Sequence, residues 1–174
     1  MSLATLTTAG RAAIVKALKE RSIHLAWGIG LSEWDAEDAV LPGLTSRTEL
    51  FNEIGRRAIT SSAYVTPDEE GDIVIPISSE SSELNEVRYS ISDVPTPYLY
   101  IRVNYDFSDA PNAVIRELGV FMDTVVADGV PAGKKYLLPE DLSDKGILLA
   151  MQCVKPAINR SPSVRQTIEF VLPI

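Results

Sequence analysis

Residues 99–107 read LYIRVNYDF, with Leu99, Ile101, Val103, Tyr105 and Phe107 alternating with Tyr100, Arg102, Asn104 and Asp106. A period of two held over nine residues puts the apolar set on one face of an extended strand and leaves the other face wet. Working outward, Asp109-Ala110-Pro111 breaks the chain and Val114–Met122 resumes a strand-like run. Further on, Ile147–Val154 and Val164–Leu172 are strand-like, and Asn159-Arg160-Ser161-Pro162-Ser163 between them has the composition of a hairpin loop. On the N-terminal side, Pro67–Asp72 is a turn composition, followed by Ile73-Val74-Ile75-Pro76-Ile77. Pro76 removes a ladder donor, so that strand is expected at a sheet edge. Ser78–Glu83 reads as a Ser/Glu-rich loop.

The first thirty residues differ. Thr7 or Thr8 can cap a helix rich in alanine, with Ile14 and Leu18 on a shared face, ending near Arg21. Ile23–Trp27 (IHLAW) is short, apolar and β-prone, and Gly28-Ile29-Gly30 lets the backbone turn after it. Ser46 with Glu49 has capping-box spacing, and Leu50 and Ile54 fall on one face, which predicts a short second helix running into a strand across Ala58–Val65. The expected fold is therefore α+β: an N-terminal helix and a short second helix packed on a mostly antiparallel β-sheet or sandwich, in a single domain over residues 1–174.

Composition bounds the function. The chain has 174 residues, enough for one sizeable core, and one cysteine, which excludes a disulfide scaffold and a Cys/His zinc site. No apolar run is long enough to cross a bilayer as a helix and no secretory signal is apparent, so synthesis and assembly in the cytoplasm without a membrane partner are expected. The net charge of −8 is unevenly placed: +3 over residues 1–30, −10 over 31–100 and −1 over 101–174. With no basic stripe to meet phosphates, nucleic acid is not expected as a partner.

Motifs for chemistry are incomplete. His24, the single histidine, lies in an apolar strand with no Gly-x-Ser-x-Gly elbow nearby, and is expected as a half-buried imidazole with a backbone partner. Cys153 sits in a strand where a small soft side chain packs well. Gly28-x-Gly30 lacks the third glycine of a dinucleotide fingerprint. The acidic runs Asp35–Asp38 and Asp68–Asp72 do not keep calcium-loop spacing and read as solvated loops. Trp27, Trp34 and the tyrosines of residues 98–105 are expected mainly in packing, with Trp27 and Trp34 the candidate contacts if a glycan is bound. A glycan-binding module and a small hydrolase using His24 or Cys153 are the alternatives to a non-catalytic role.

Three segments in order carry a family resemblance: LTTAGRAAIVKALKERSIHLAWGIG over residues 6–30, TELFNEIGRRAI over 48–59, and IRELGVF over 115–121. Together they resemble the N-terminal region of bacteriophage tail-collar fibre proteins and related baseplate-attached tail proteins. The resemblance covers residues 1–122, with 123–174 a β-rich extension, and implies a virion tail structural protein, of a phage or a prophage-derived particle. It implies a homotrimer contacting other tail or baseplate proteins, with no catalysis, cofactor or metal. Residues 123–174 show neither repeats nor a glycine-rich shaft, so a fibre-attachment or adaptor component is expected. Arg56, Arg57, Arg116 and Glu117 are the residues expected in structural or subunit contacts, because the planar guanidinium pairs two-handed with carboxylates.

Overall fold

The computed structural model describes residues 4–77 and 85–174, so the Ser78–Glu83 loop expected above lies outside the described residues. One helix, α1 (Thr8–Lys19), is followed by β1 (Ile23–Gly28), a 3₁₀ turn at Ser32–Asp35, β2 (Glu53–Ala58), β3 (Ser61–Pro67), β4 (Ile73–Ile77), β5 (Asn85–Ser92) and β6 (Tyr98–Tyr105). Next come β7 (Val114–Met122), β8 (Val125–Val126), β9 (Tyr136–Leu137), a 3₁₀ turn at Pro139–Asp141, β10 (Leu142–Asp144), β11 (Ile147–Asn159) and β12 (Gln166–Pro173). One five-stranded sheet has the order β11-β7-β1-β2-β9, another β12-β6-β3-β5-β4, and β10 pairs with β8.

This is a mostly-β protein, 46% strand and 12% helix, and the α+β expectation is corrected accordingly. The second helix does not form. Ser46–Leu50 is turn and irregular backbone, and Ile54 already belongs to β2. The physical reason is where the donors go: the Phe51 and Asn52 N–H groups, which a helix would spend on carbonyls four residues back, are taken by the Glu117 carboxylate. The strand expected across Ala58–Val65 is two strands, broken between Ala58 and Ser61. β11 and β12 do form, but they belong to different sheets, so Asn159–Ser163 is not a hairpin turn.

Other elements follow the sequence closely. Thr7 caps α1, its side chain accepting from the Gly10 N–H at 3.1 Å. β4 lies at a sheet edge, as Pro76 requires. In β6 Leu99, Ile101, Val103 and Tyr105 are all buried as the alternation requires, but Tyr100 on the other face is buried too, and Phe107 falls beyond the strand and is 42% exposed.

The chain divides into two compact units. The first comprises residues 1–21, 60–102 and 169–174, the second residues 22–59 and 103–168. In the first, Val15 is the buried residue of α1, and Lys19 sits 4.6 Å over the Tyr64 ring; Ile14 points out and is 40% exposed. There Thr96, buried, donates its hydroxyl to the Val65 carbonyl at 2.7 Å.

In the second unit β1 is the central strand of its sheet, and all six of its residues are buried. IHLAW is apolar without alternation because both faces are covered. On one face Ala26 packs with Leu50 and Phe121 against Leu148 and Met151. On the other, Trp27 stacks on Tyr105 with ring centroids 3.5 Å apart and planes 13° from parallel.

Candidate functional site

Strand order brings two of the three sequence segments, and the strand of the third, side by side. β7, β1 and β2 are neighbours, with Gly28 between Glu117 and Glu53, Ala26 between Gly119 and Arg56, and Leu25 between Val120 and Arg57. Arg56 and Arg57 are successive strand residues, so they point to opposite faces.

Arg56 is fully buried. Its guanidinium grips both Glu53 oxygens, at 2.7 and 2.8 Å, and donates to the Thr124 hydroxyl at 2.7 Å and the Lys145 carbonyl at 2.6 Å. It also lies 3.9 Å over the Phe121 ring. A buried cation is tolerable only when its donors are spent in this way. Arg57 pairs with Asp109 on the other face. Asp109 in turn accepts from the Asp106 N–H at 2.7 Å.

The same face holds the aromatic cluster. Trp27 Nε1 donates to the Tyr136 hydroxyl at 2.8 Å, Tyr136 donates to the Ile54 carbonyl at 3.0 Å, and Tyr105 donates to the Leu25 carbonyl at 2.6 Å. Burial holds the Tyr105 phenol far above its ordinary pKa and pushes Tyr136 up to about 12. Gly55 has a φ of +155°, and a Cβ there would strike the Tyr136 ring, so the cluster requires glycine at that position.

Arg116 and Glu117, consecutive residues of β7, act on the two ends of one long loop. Arg116 donates two-handed to Asp35, at 2.9 and 2.7 Å, and to the Ile29 carbonyl at 3.1 Å. These bonds hold the Asp35 carboxyl below its usual range. Glu117 is fully buried and accepts from the Phe51 N–H at 2.8 Å and the Asn52 N–H at 2.6 Å. Gly28 makes room for it, because a Cβ there would collide with Glu117 Oε1 and the Asn52 carbonyl. The loop between these clamps is pinned again where Lys155 donates to the Ala36 carbonyl at 2.6 Å and where Lys145 meets Glu49 at 2.7 Å.

Among the residues singled out in the sequence, Arg56, Arg57, Arg116 and Glu117 thus all have partners within the chain. Trp27 is fully buried and Trp34 is 5% exposed, its ring edge-on to Phe51 at 5.1 Å. His24 is 8% exposed, and its Nδ1 has no hydrogen-bond partner. Burial, and then the charge of Arg56, lower its pKa below 6.5. The Cys153 thiol is pushed up, mainly by burial. Sequence reasoning missed Asp109, Tyr136 and Arg160. Arg160 is buried, donates to the carbonyls of Val164 at 2.9 Å and Asp106 at 2.8 Å, and lies 5.2 Å from the centre of Trp27. No local pattern marks any of the three, because each also bonds across a long separation: Asp109 to Arg57, Tyr136 to Ile54 and Arg160 to Asp106.

Among the described residues no group of three or more His, Cys, Asp or Glu side chains could hold a metal ion, and no helix is long and apolar enough to cross a membrane. The polar side chains are spent on fixing strands and loop ends to one another. The fold and site thus define a mostly-β scaffold whose buried charges anchor a long surface loop.

Comparison with known proteins gives the particular family. The chain belongs to the family of the baseplate wedge 3 tail fiber network component, whose model matches residues 3–174. It is thus a structural protein of the phage baseplate and tail-fibre apparatus, located in the virion tail and in contact with other tail or baseplate proteins. No curated protein matched the chain.

Proposed function

We propose that this chain is a non-catalytic adaptor that attaches a fibre or a neighbouring subunit to the baseplate, assembling in the bacterial cytoplasm as a homotrimer. The observation that carries this reading is the double clamp of Arg116 and Glu117 on the loop from Ile29 to Asn52. A long loop whose regular structure is one 3₁₀ turn costs chain entropy, and fixing it at both ends to a central sheet meets that cost before a partner arrives. Arg56 and Arg57 support the reading by locking the adjoining strand to both faces of the same sheet.

The test is light-scattering mass across a dilution series, followed by co-purification with tail and baseplate proteins. A trimer that persists on dilution and retains baseplate chains supports the proposal. A chain that retains none of them refutes the adaptor role. The clamp is tested separately: Arg116→Ala should lower retention of the partners, and unchanged assembly and unchanged stability together would remove the role given to it.

A further inference from the structure

We infer that the clamped loop docks, by its apolar tip and acidic shoulder, onto helix α1 of a second copy of this chain. This rests on the self-association proposed above. The loop presents Val40, 93% exposed, beside Leu41 at 41%, with Leu31 at 36% and Ile29 at 38% nearer its base. Residues 29–41 carry Glu33, Asp35, Glu37 and Asp38 and no Lys or Arg. An apolar tip held on a pinned loop loses little entropy on docking, and its acidic flank selects a basic receiver.

Helix α1 has the matching chemistry. Its twelve residues bury one side chain, Val15, although a helix of that length draws most of its stability from packing. Ala13 and Ala17 lie exposed on the face turned away from Val15, with Ile14 on one flank and Lys16 on the other, and Arg11 is exposed one turn before Val15. Residues 4–21 carry Arg11, Lys16, Lys19 and Arg21 against Glu20. Arg11, Lys16, Glu37 and Asp38 have no ion pair among the described residues. Two copies at −8 each repel through their bodies, so association must bring opposite charges together, and this pairing does so. Because the two patches are different, the contact is head-to-tail and can close into a ring.

The experiment is light-scattering mass of three full-length variants beside the unaltered chain. All substitutions are at exposed positions, so folding is not at stake, and circular dichroism checks it. Arg11→Glu with Lys16→Glu, and separately Glu37→Lys with Asp38→Lys, should each reduce the multimer to the 19.0 kDa single chain. The chain carrying all four changes reverses both charges and should recover the multimer. An unaltered chain that stays at 19.0 kDa would overturn the self-association reading and this inference together. A multimer that survives either pair, or one lost in both pairs and not recovered in the fourfold variant, would overturn this inference alone.

Discussion

Replacing Glu117 with Gln tests the clamp at its most buried point. The carboxylate accepts from two backbone N–H groups, Phe51 at 2.8 Å and Asn52 at 2.6 Å. Bonds to a charged acceptor contribute about 1.5–3 kcal/mol each, and a buried donor left unpaired costs about 1–3 kcal/mol. Glutamine keeps one oxygen and turns an NH₂ toward the other donor, so one bond weakens to the neutral kind and the other becomes donor against donor. Removing a fully buried negative charge recovers part of its desolvation cost. The net expectation is a loss of about 2–3 kcal/mol, a large share of the roughly 5–15 kcal/mol that holds a domain folded. Both tryptophans of the chain, Trp27 and Trp34, lie in the same unit as Glu117, so urea unfolding followed by their fluorescence reads this unit. The midpoint should fall with the slope unchanged. A shift worth less than about 0.5 kcal/mol would refute the assignment of Glu117 as the anchor of residues 51–52, since that is the scatter of ordinary surface substitutions.

Gly28→Ala should destabilise the same unit by about 2–3 kcal/mol through overpacking against Glu117 and the Asn52 carbonyl; an unperturbed urea midpoint would contradict the close approach. Tyr105→Phe removes the hydroxyl bond to the Leu25 carbonyl and should cost about 1 kcal/mol in the same assay, with no change expected only if that bond contributes nothing. His24 predicts a pH dependence: its folded pKa lies below 6.5, so the unfolded chain binds the extra proton, and stability is complete above pH 6.5 and declines as pH falls below it. His24→Leu should flatten that decline between pH 6.5 and 5, and an equal slope in both chains would assign it elsewhere.

How much of this was legible depended on whether a signal was local. The period of two in residues 99–105 and the Thr7 cap act within a few residues, and both appear where the sequence put them. The Ser46-x-x-Glu49 signal was local too, yet it lost. A short helix is worth little without packing, while a buried carboxylate 65 residues away from Asn52 offers its N–H a charged acceptor. The separation of β11 from β12 was likewise invisible, because pairing partners are chosen by the whole sheet and not by the loop that joins two strands.

The partners that Arg56, Arg57, Arg116 and Glu117 take within the chain were illegible in the sequence. Arg56, Arg57, Arg116 and Glu117 stand out in sequence as adjacent charged residues within the segments that carry the family resemblance. In the strand geometry, neighbours along β2 and β7 point to opposite faces, so each pair serves two sets of partners at once. Arg57 reaches Asp109 and Arg116 reaches Asp35, separations of 52 and 81 residues that no spacing rule encodes. Both members of the β7 pair bond to the same loop, one near each end. A rotation of that strand would therefore release both ends together, which makes the loop's position a property of the sheet.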